Sequence, residues 1–303
     1  MKKNKYEIDM CNGTLMDKLI SFAIPLMLSG ILQLMFNAVD IIVVGRFSGS
    51  QSLAAVGSTT ALINVFTNLF IGISLGANVL AARYYALEKS KEMSETVHTA
   101  IAFALISGVG MAVIGLLMAK PALELMGTPD DVIAKSTLYM RIYFCGMPFF
   151  MLYNYGAAIL RAVGDTKRPL IFLLISGVIN AILNLFLVIQ FHLDVAGVGI
   201  ATVISQLISC ILVLRCLYCS ESSYQFRPEK LNIRSSYLRQ IFEVGIPAGI
   251  QSTVINLSNA MLQSSVNSFG SISMAGYTAA NNIFGFLYVS VNSVTQACMS
   301  FTS

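Results

Sequence analysis

Apolar blocks of membrane-spanning length recur along this chain and leave it few ways to fold. Crossing a bilayer's hydrocarbon core takes roughly 20 mostly apolar residues. Eight stretches reach that length: Leu15–Val44, Leu53–Ala82, Val97–Ala119, Val132–Ile159, Leu170–Gln190, Val195–Tyr218, Leu238–Phe269 and Met274–Ser303. None alternates apolar and polar residues over about ten positions, as a barrel strand does. The expected fold class is therefore all-α, a polytopic membrane helical bundle. Charged residues are 11% of the chain, against about 25% in a soluble domain, too few to cover a water-soluble globule. The first apolar run is too long for a signal peptide and has no small-residue cleavage site, so it reads as a span.

The basic residues orient these spans. Cytoplasmic loops collect Lys and Arg. With the N-terminus inside, Lys2, Lys3, Lys5, Lys18, Arg83, Lys89, Lys91, Arg161, Lys167, Arg168, Arg215, Arg227, Lys230, Arg234 and Arg239 fall on the cytoplasmic side. Only Arg46, Lys120, Lys135 and Arg141 fall outside. A miscounted span would scramble this asymmetry. It implies a multi-pass protein of the cytoplasmic membrane with a cytoplasmic N-terminus. The net charge of +4 is spread over short clusters, which argues against a nucleic-acid partner; membrane lipid and a monomeric state are expected instead.

An internal repeat divides the chain. Ile24-Pro25 recurs as Ile246-Pro247 and Phe47 as Phe269, each 222 positions on (246 − 24 = 222), and Ser52-Leu-Ala-Ala55 matches Ser273-Met-Ala-Gly276, 221 on. The repeat unit has six helices, so both copies enter the membrane from the same side, related by an axis along its normal. This predicts an N-terminal six-helix lobe over 1–219, a cytoplasmic linker over 220–237, and the first two helices of a second lobe over 238–303. The repeat offset predicts four further helices and roughly 440 residues in all.

Ionisable groups inside a membrane are costly and mark function. Asp40 lies within the first span, away from its ends, and Gln33, Asn37 and Asp40 share one helical face at i, i+4, i+7. A lone carboxylate there can take up a proton or hold a cation, and its state depends on which side's water reaches it. Such a group can couple an ion gradient to a conformational change. Other spans carry amide stripes: Asn64 and Asn68; Asn180 and Asn184; Thr202 and Gln206; Asn256, Asn259 and Gln263. These line a cavity or bond helices together. Pro25, Pro148 and Pro247 predict bends, and Gly72-x-x-x-Gly76 a close helix contact. In the loop Arg161-Ala-Val-Gly-Asp-Thr-Lys-Arg-Pro169, Asp165 or Thr166 is placed to cap the next helix. The six cysteines read mostly as small buried hydrophobes. No P-loop ending and no His, Cys or carboxylate cluster suggests an enzyme.

The segment Gln33-Leu-Met-Phe-Asn-Ala-Val-Asp40-Ile-Ile-Val-Val-Gly45, with Leu53-Ala-Ala-Val-Gly57, Gly164-Asp-Thr-Lys-Arg-Pro169 and Ala196-Gly-Val-Gly-Ile-Ala-Thr202, resembles the multidrug and toxic compound extrusion (MATE) transporters. The resemblance implies twelve helices in two six-helix lobes around a V-shaped cavity. It implies export of small cationic or amphipathic compounds by antiport with protons or sodium, and no cofactor beyond the coupling ion. One branch of that family holds a cation with an aspartate, an asparagine, a second aspartate and a threonine. The matching positions are Asp40, Asn180, Asn184 and Thr202, so Asn184 departs from the pattern. An amide in place of a charge weakens a sodium site and leaves proton coupling at Asp40 open, with no metal expected beyond sodium there. An alternative is a flippase for lipid-linked precursors from the same superfamily. Its cavity would be expected to hold basic residues, and these spans have few away from their ends.

Overall fold

The computed structural model describes residues 8, 14–267 and 271–302. Within them the chain forms nine α-helices: α1 (Leu15–Phe47), α2 (Ser50–Ala86), α3 (Ser90–Leu125), α4 (Asp130–Cys145), α5 (Met147–Ala162), α6 (Lys167–Leu185), α7 (Asp194–Tyr218), α8 (Ser235–Asn267) and α9 (Ser271–Thr302). Five of these run past 30 residues, or about 45 Å at 1.5 Å per residue, a length that exceeds a bilayer's hydrocarbon core. Large apolar side chains face outward along them, among them Met35, Ile42, Leu117, Ile182 and Val291. Lipid is the solvent that tolerates such a surface. The chain is a multi-pass membrane protein.

The expected fourth span is not one helix. Gly146 breaks it into α4 and α5, and Pro148, expected to bend a continuous helix, stands in the first turn of α5. Proline is tolerated there because its missing N–H would have had no helical partner. α6 also loosens at its end, where Phe186–Gln190 forms a π-helical turn.

Polar ties show which helix ends share a face of the bundle. At the face where α1 begins, the near face, Ile8 N–H donates to Gly164 O at 3.2 Å. Gly164 sits at φ +86°, a left-handed conformation that glycine adopts freely. Asp165 accepts the Arg168 amide at 3.0 Å and pairs with its guanidinium, so Asp165, not Thr166, caps α6. The segment between α7 and α8 is clasped here too. His98 on α3 accepts the Arg227 N–H at Nε2 (3.1 Å) while its Nδ1 lies 2.6 Å from Ser94 O. Thr99 accepts the Arg234 N–H at 3.3 Å. At the opposite, far face, the Lys135 ammonium of α4 joins Asp194 of α7 (2.7 Å) and Ser52 of α2 (2.9 Å). The ends thus alternate between the faces, α4 and α5 counting as one; among the described residues five helices, α1, α2, α3, α6 with its π-helical turn, and α7, are long and apolar enough to cross a membrane.

The core lies among α2 to α7 and includes Met93, Phe144, Met147, Met151, Tyr155 and Leu160, all buried. α8 packs antiparallel on α2 and α9 on α1. The expected close contact at Gly72 and Gly76 is made with Gly245 and Gly249 of α8, whose backbones leave no room for a Cβ. Of the described cysteines only Cys210 is buried; Cys145, Cys219 and Cys298 are exposed, against expectation.

Candidate functional site

α1 and α6 run in the same direction and press together where Gly177 receives the Phe36 ring. One turn farther along, Asp40 meets the two amides that i, i+4 spacing places on one face of α6. Asn184 Nδ2 donates to Asp40 Oδ1 and, at 3.1 Å, to Asn180 Oδ1. Asn184 is fully buried and Asn180 is 5% exposed, whereas Asp40 keeps partial access. The carboxylate therefore has one firm donor and is not fully enclosed by the protein. Both Asn184 donors are spent, and no partner lies within hydrogen-bonding reach of its buried Oδ1 among the described residues. A buried carbonyl oxygen without a partner is costly unless something else visits it. The π-helical turn begins two residues beyond Asn184; such turns occur often at functional sites.

Thr202 stands on α7 with its hydroxyl donated to Val198 O of its own helix at 2.9 Å, and among the described residues no hydrogen bond joins it to Asp40. Of the proposed cavity residues, Gln33, Asn37 and Asn64 are exposed and Asn68 is half-buried. The side chains of Asn256, Asn259 and Gln263 lie outside the described residues.

The sequence reading passed over α4. Buried Tyr139 and half-buried Tyr143 lie close enough to Asp40 to feel its charge. Nearby, Gln206 Oε1 of α7 is buried without a partner among the described residues. Lys135, Tyr139 and Tyr143 stand at i, i+4, i+8 and so share one helical face. That stripe was available as a signal, in a span whose two cations drew attention only as topology markers.

A family model, MatE, matches residues 25–186, more than half of the chain. The chain belongs to the MatE family. The match takes in Asp40, Asn180 and Asn184, with Thr202 just beyond it. Among curated MatE relatives, the probable multidrug resistance protein YoeA of Bacillus subtilis (strain 168) is 32% identical over 291 residues, covering 93% of this chain and 62% of its own length. The multidrug export protein MepA of Staphylococcus aureus (strain MRSA252) is 24% identical, covering 86% of this chain and 57% of its own. The chain thus spans less than two thirds of either. A solved outward-facing structure of a multidrug resistance MATE family transporter superposes with a TM-score of 0.92 at 21% identity, over 100% of this chain and 67% of that one. At that identity the likeness establishes the fold.

Proposed function

We propose that the complete protein exports small amphipathic or cationic compounds across the cytoplasmic membrane by alternating access, in exchange for an ion taken up at Asp40. One observation carries this reading: a half-buried carboxylate on α1 is tied to α6 through Asn184, in a MatE-family chain whose relatives include a probable multidrug resistance protein and a multidrug export protein. The near face is cytoplasmic in this reading, and Gln33, Asn37 and Asn64 line the cleft through which water and substrate reach the site.

The donor geometry favours a proton over sodium. Asn184 presents N–H to Asp40, and a sodium ion needs oxygens turned inward. A charge-assisted hydrogen bond contributes about 1.5–3 kcal/mol. Protonation removes the charge that strengthens the Asp40–Asn184 bond, and so loosens the tie between α1 and α6. Turning the Asn184 amide would then bring its unpartnered Oδ1 to accept from the new carboxylic O–H. The ion's presence is thereby converted into a change in how α1 is held.

The test is efflux of a fluorescent organic cation from cells expressing the complete reading frame. Asp40→Asn is expected to abolish efflux driven by a pH or sodium gradient while leaving the amount of protein in the membrane unchanged. Gradient-driven efflux by the variant at the wild-type rate would remove Asp40 from the mechanism.

A further inference from the structure

We propose that Asn78 of α2 and Ser300 of α9 form a hydrogen-bonded latch that closes the near face and must part for that face to open. The proposal rests on the alternating-access reading above and adds the residues that hold its closed side shut.

Asn78 is 4% exposed and Ser300 6%. The Ser300 hydroxyl donates to Asn78 Oδ1 at 3.0 Å, and Asn78 Nδ2 donates to Ala158 O of α5 at 2.8 Å. One amide thus ties three helices. The two latch residues are 222 positions apart, one more than the 221 that separates Ser52 from Ser273 at the starts of α2 and α9, so the repeat counterpart of Asn78 is Met299, next to Ser300. Under that repeat α1 corresponds to α8 and α2 to α9. The α2–α8 and α1–α9 contacts are then one contact made twice, and equivalent residues can meet only near the axis relating the copies. Asn78 meets the neighbour of its own counterpart, so the latch sits close to the axis relating the copies, where the two units face each other.

Its surroundings suit a bond made and broken repeatedly. On one side lies a dry seal: Phe22 of α1 packs edge-on against Phe301 at 5.6 Å, with Ala23, Leu26 and Ala297 buried around it. On the other runs the glycine seam of α2 and α8. Between them is an enclosed cavity of about 10 Å³ lined by Leu26, Asn78, Arg161, Gln296 and Ser300 among others, room for about one water with polar partners at hand. Parting a neutral hydrogen bond into water costs little, because each group exchanges one partner for another. A buried ion pair at the same place would resist opening far more. Farther from the near face along α1 and α2, Gln33, Asn37 and Asn64 are exposed, so a reporter at Gln33 lies beyond the latch as seen from the near face.

The experiment reads accessibility, not transport. Gln33→Cys is introduced into the complete protein with its native cysteines replaced, and labelling by a membrane-impermeant maleimide is compared in everted and right-side-out vesicles. Ser300→Ala, which removes only the hydroxyl, and Asn78→Ala are each expected to raise labelling through the near face roughly fivefold, the equivalent of one net hydrogen bond. Labelling through the far face should fall in step. Unchanged labelling in both variants overturns the latch. If the wild type labels as expected but exports nothing, the function proposed above fails while the latch stands. If efflux is intact and the variants label like wild type, the reverse holds.

Discussion

Two carboxylates can share a cation between them; a carboxylate facing an amide N–H is already supplied with positive charge. That difference rests on residue 184. Because Asn184 donates to both Asp40 and Asn180, the site offers a sodium ion one charged ligand and two neutral ones. Asn184→Asp would restore a second charge at a fully buried position, and ligand charge count is what tunes the affinity of oxygen sites for hard cations. In the complete protein this variant should lower the sodium concentration giving half-maximal efflux by about tenfold or more. Efflux measured across a sodium series at fixed pH checks it; equal or stronger sodium dependence in the wild type would count against the donor geometry described here. The sequence made Asp40 legible as the ionisable group within the first span, and Asn184 legible through the family resemblance that sets it beside Asp40. It could not show Tyr139 and Tyr143 beside them, because tyrosine on an apolar helix reads the same whether it faces lipid, core or a carboxylate.

Helix against helix, the decisive contacts are those in which side chains are missing. Apolar pattern alone cannot say which side of a membrane helix is buried, because lipid and protein interior are equally apolar. For the same reason the break at Gly146 was hidden inside an unbroken apolar run, although Gly146 and Pro148 together were its trace. Small residues are the exception, since they mark where backbones come close, and Gly72 and Gly76 do so against α8. Alanine at Gly72 would set a methyl against the Gly249 backbone, whereas at Gly57 nothing lies within 4 Å. The same substitution should therefore have opposite signs. Gly72→Ala is expected to destabilise by about 1–3 kcal/mol as an overpacked contact. Gly57→Ala should be neutral or stabilising by up to about 1 kcal/mol through helix propensity. Thermal unfolding in detergent distinguishes them, and a lower transition for Gly57→Ala than for Gly72→Ala would contradict the seam.

For the whole molecule, the structure fixes which helix ends share a face but carries no membrane, so its orientation rests on charge. The near face gathers Arg83, Arg161, Arg168, Arg215 and Arg227, with the clasped segment between α7 and α8, while the far side holds Arg46, Lys120, Lys135 and Arg141, of which Lys120 pairs with Glu124 and Lys135 with Asp194. Residues that retain Lys and Arg stay on the cytoplasmic side during insertion, and the surface potential of anionic lipid favours basic groups there by about 1 kcal/mol each. Two exposed positions read the outcome without disturbing a packed contact: Glu229, in the segment between α7 and α8 at the near face, and Glu124, at the end of α3 on the far face. With native cysteines replaced, Glu229→Cys should react with an impermeant maleimide only in everted vesicles, and Glu124→Cys only in intact cells. Both reacting from the same side would mean that α3 does not cross as drawn. Exchange of the two patterns would invert the molecule, placing the closed Asn78–Ser300 contact outside and opening the Asp40 cleft to the cytoplasm. The structure would then show an inward-open form, and the proton uptake proposed for Asp40 would have to begin from the other side.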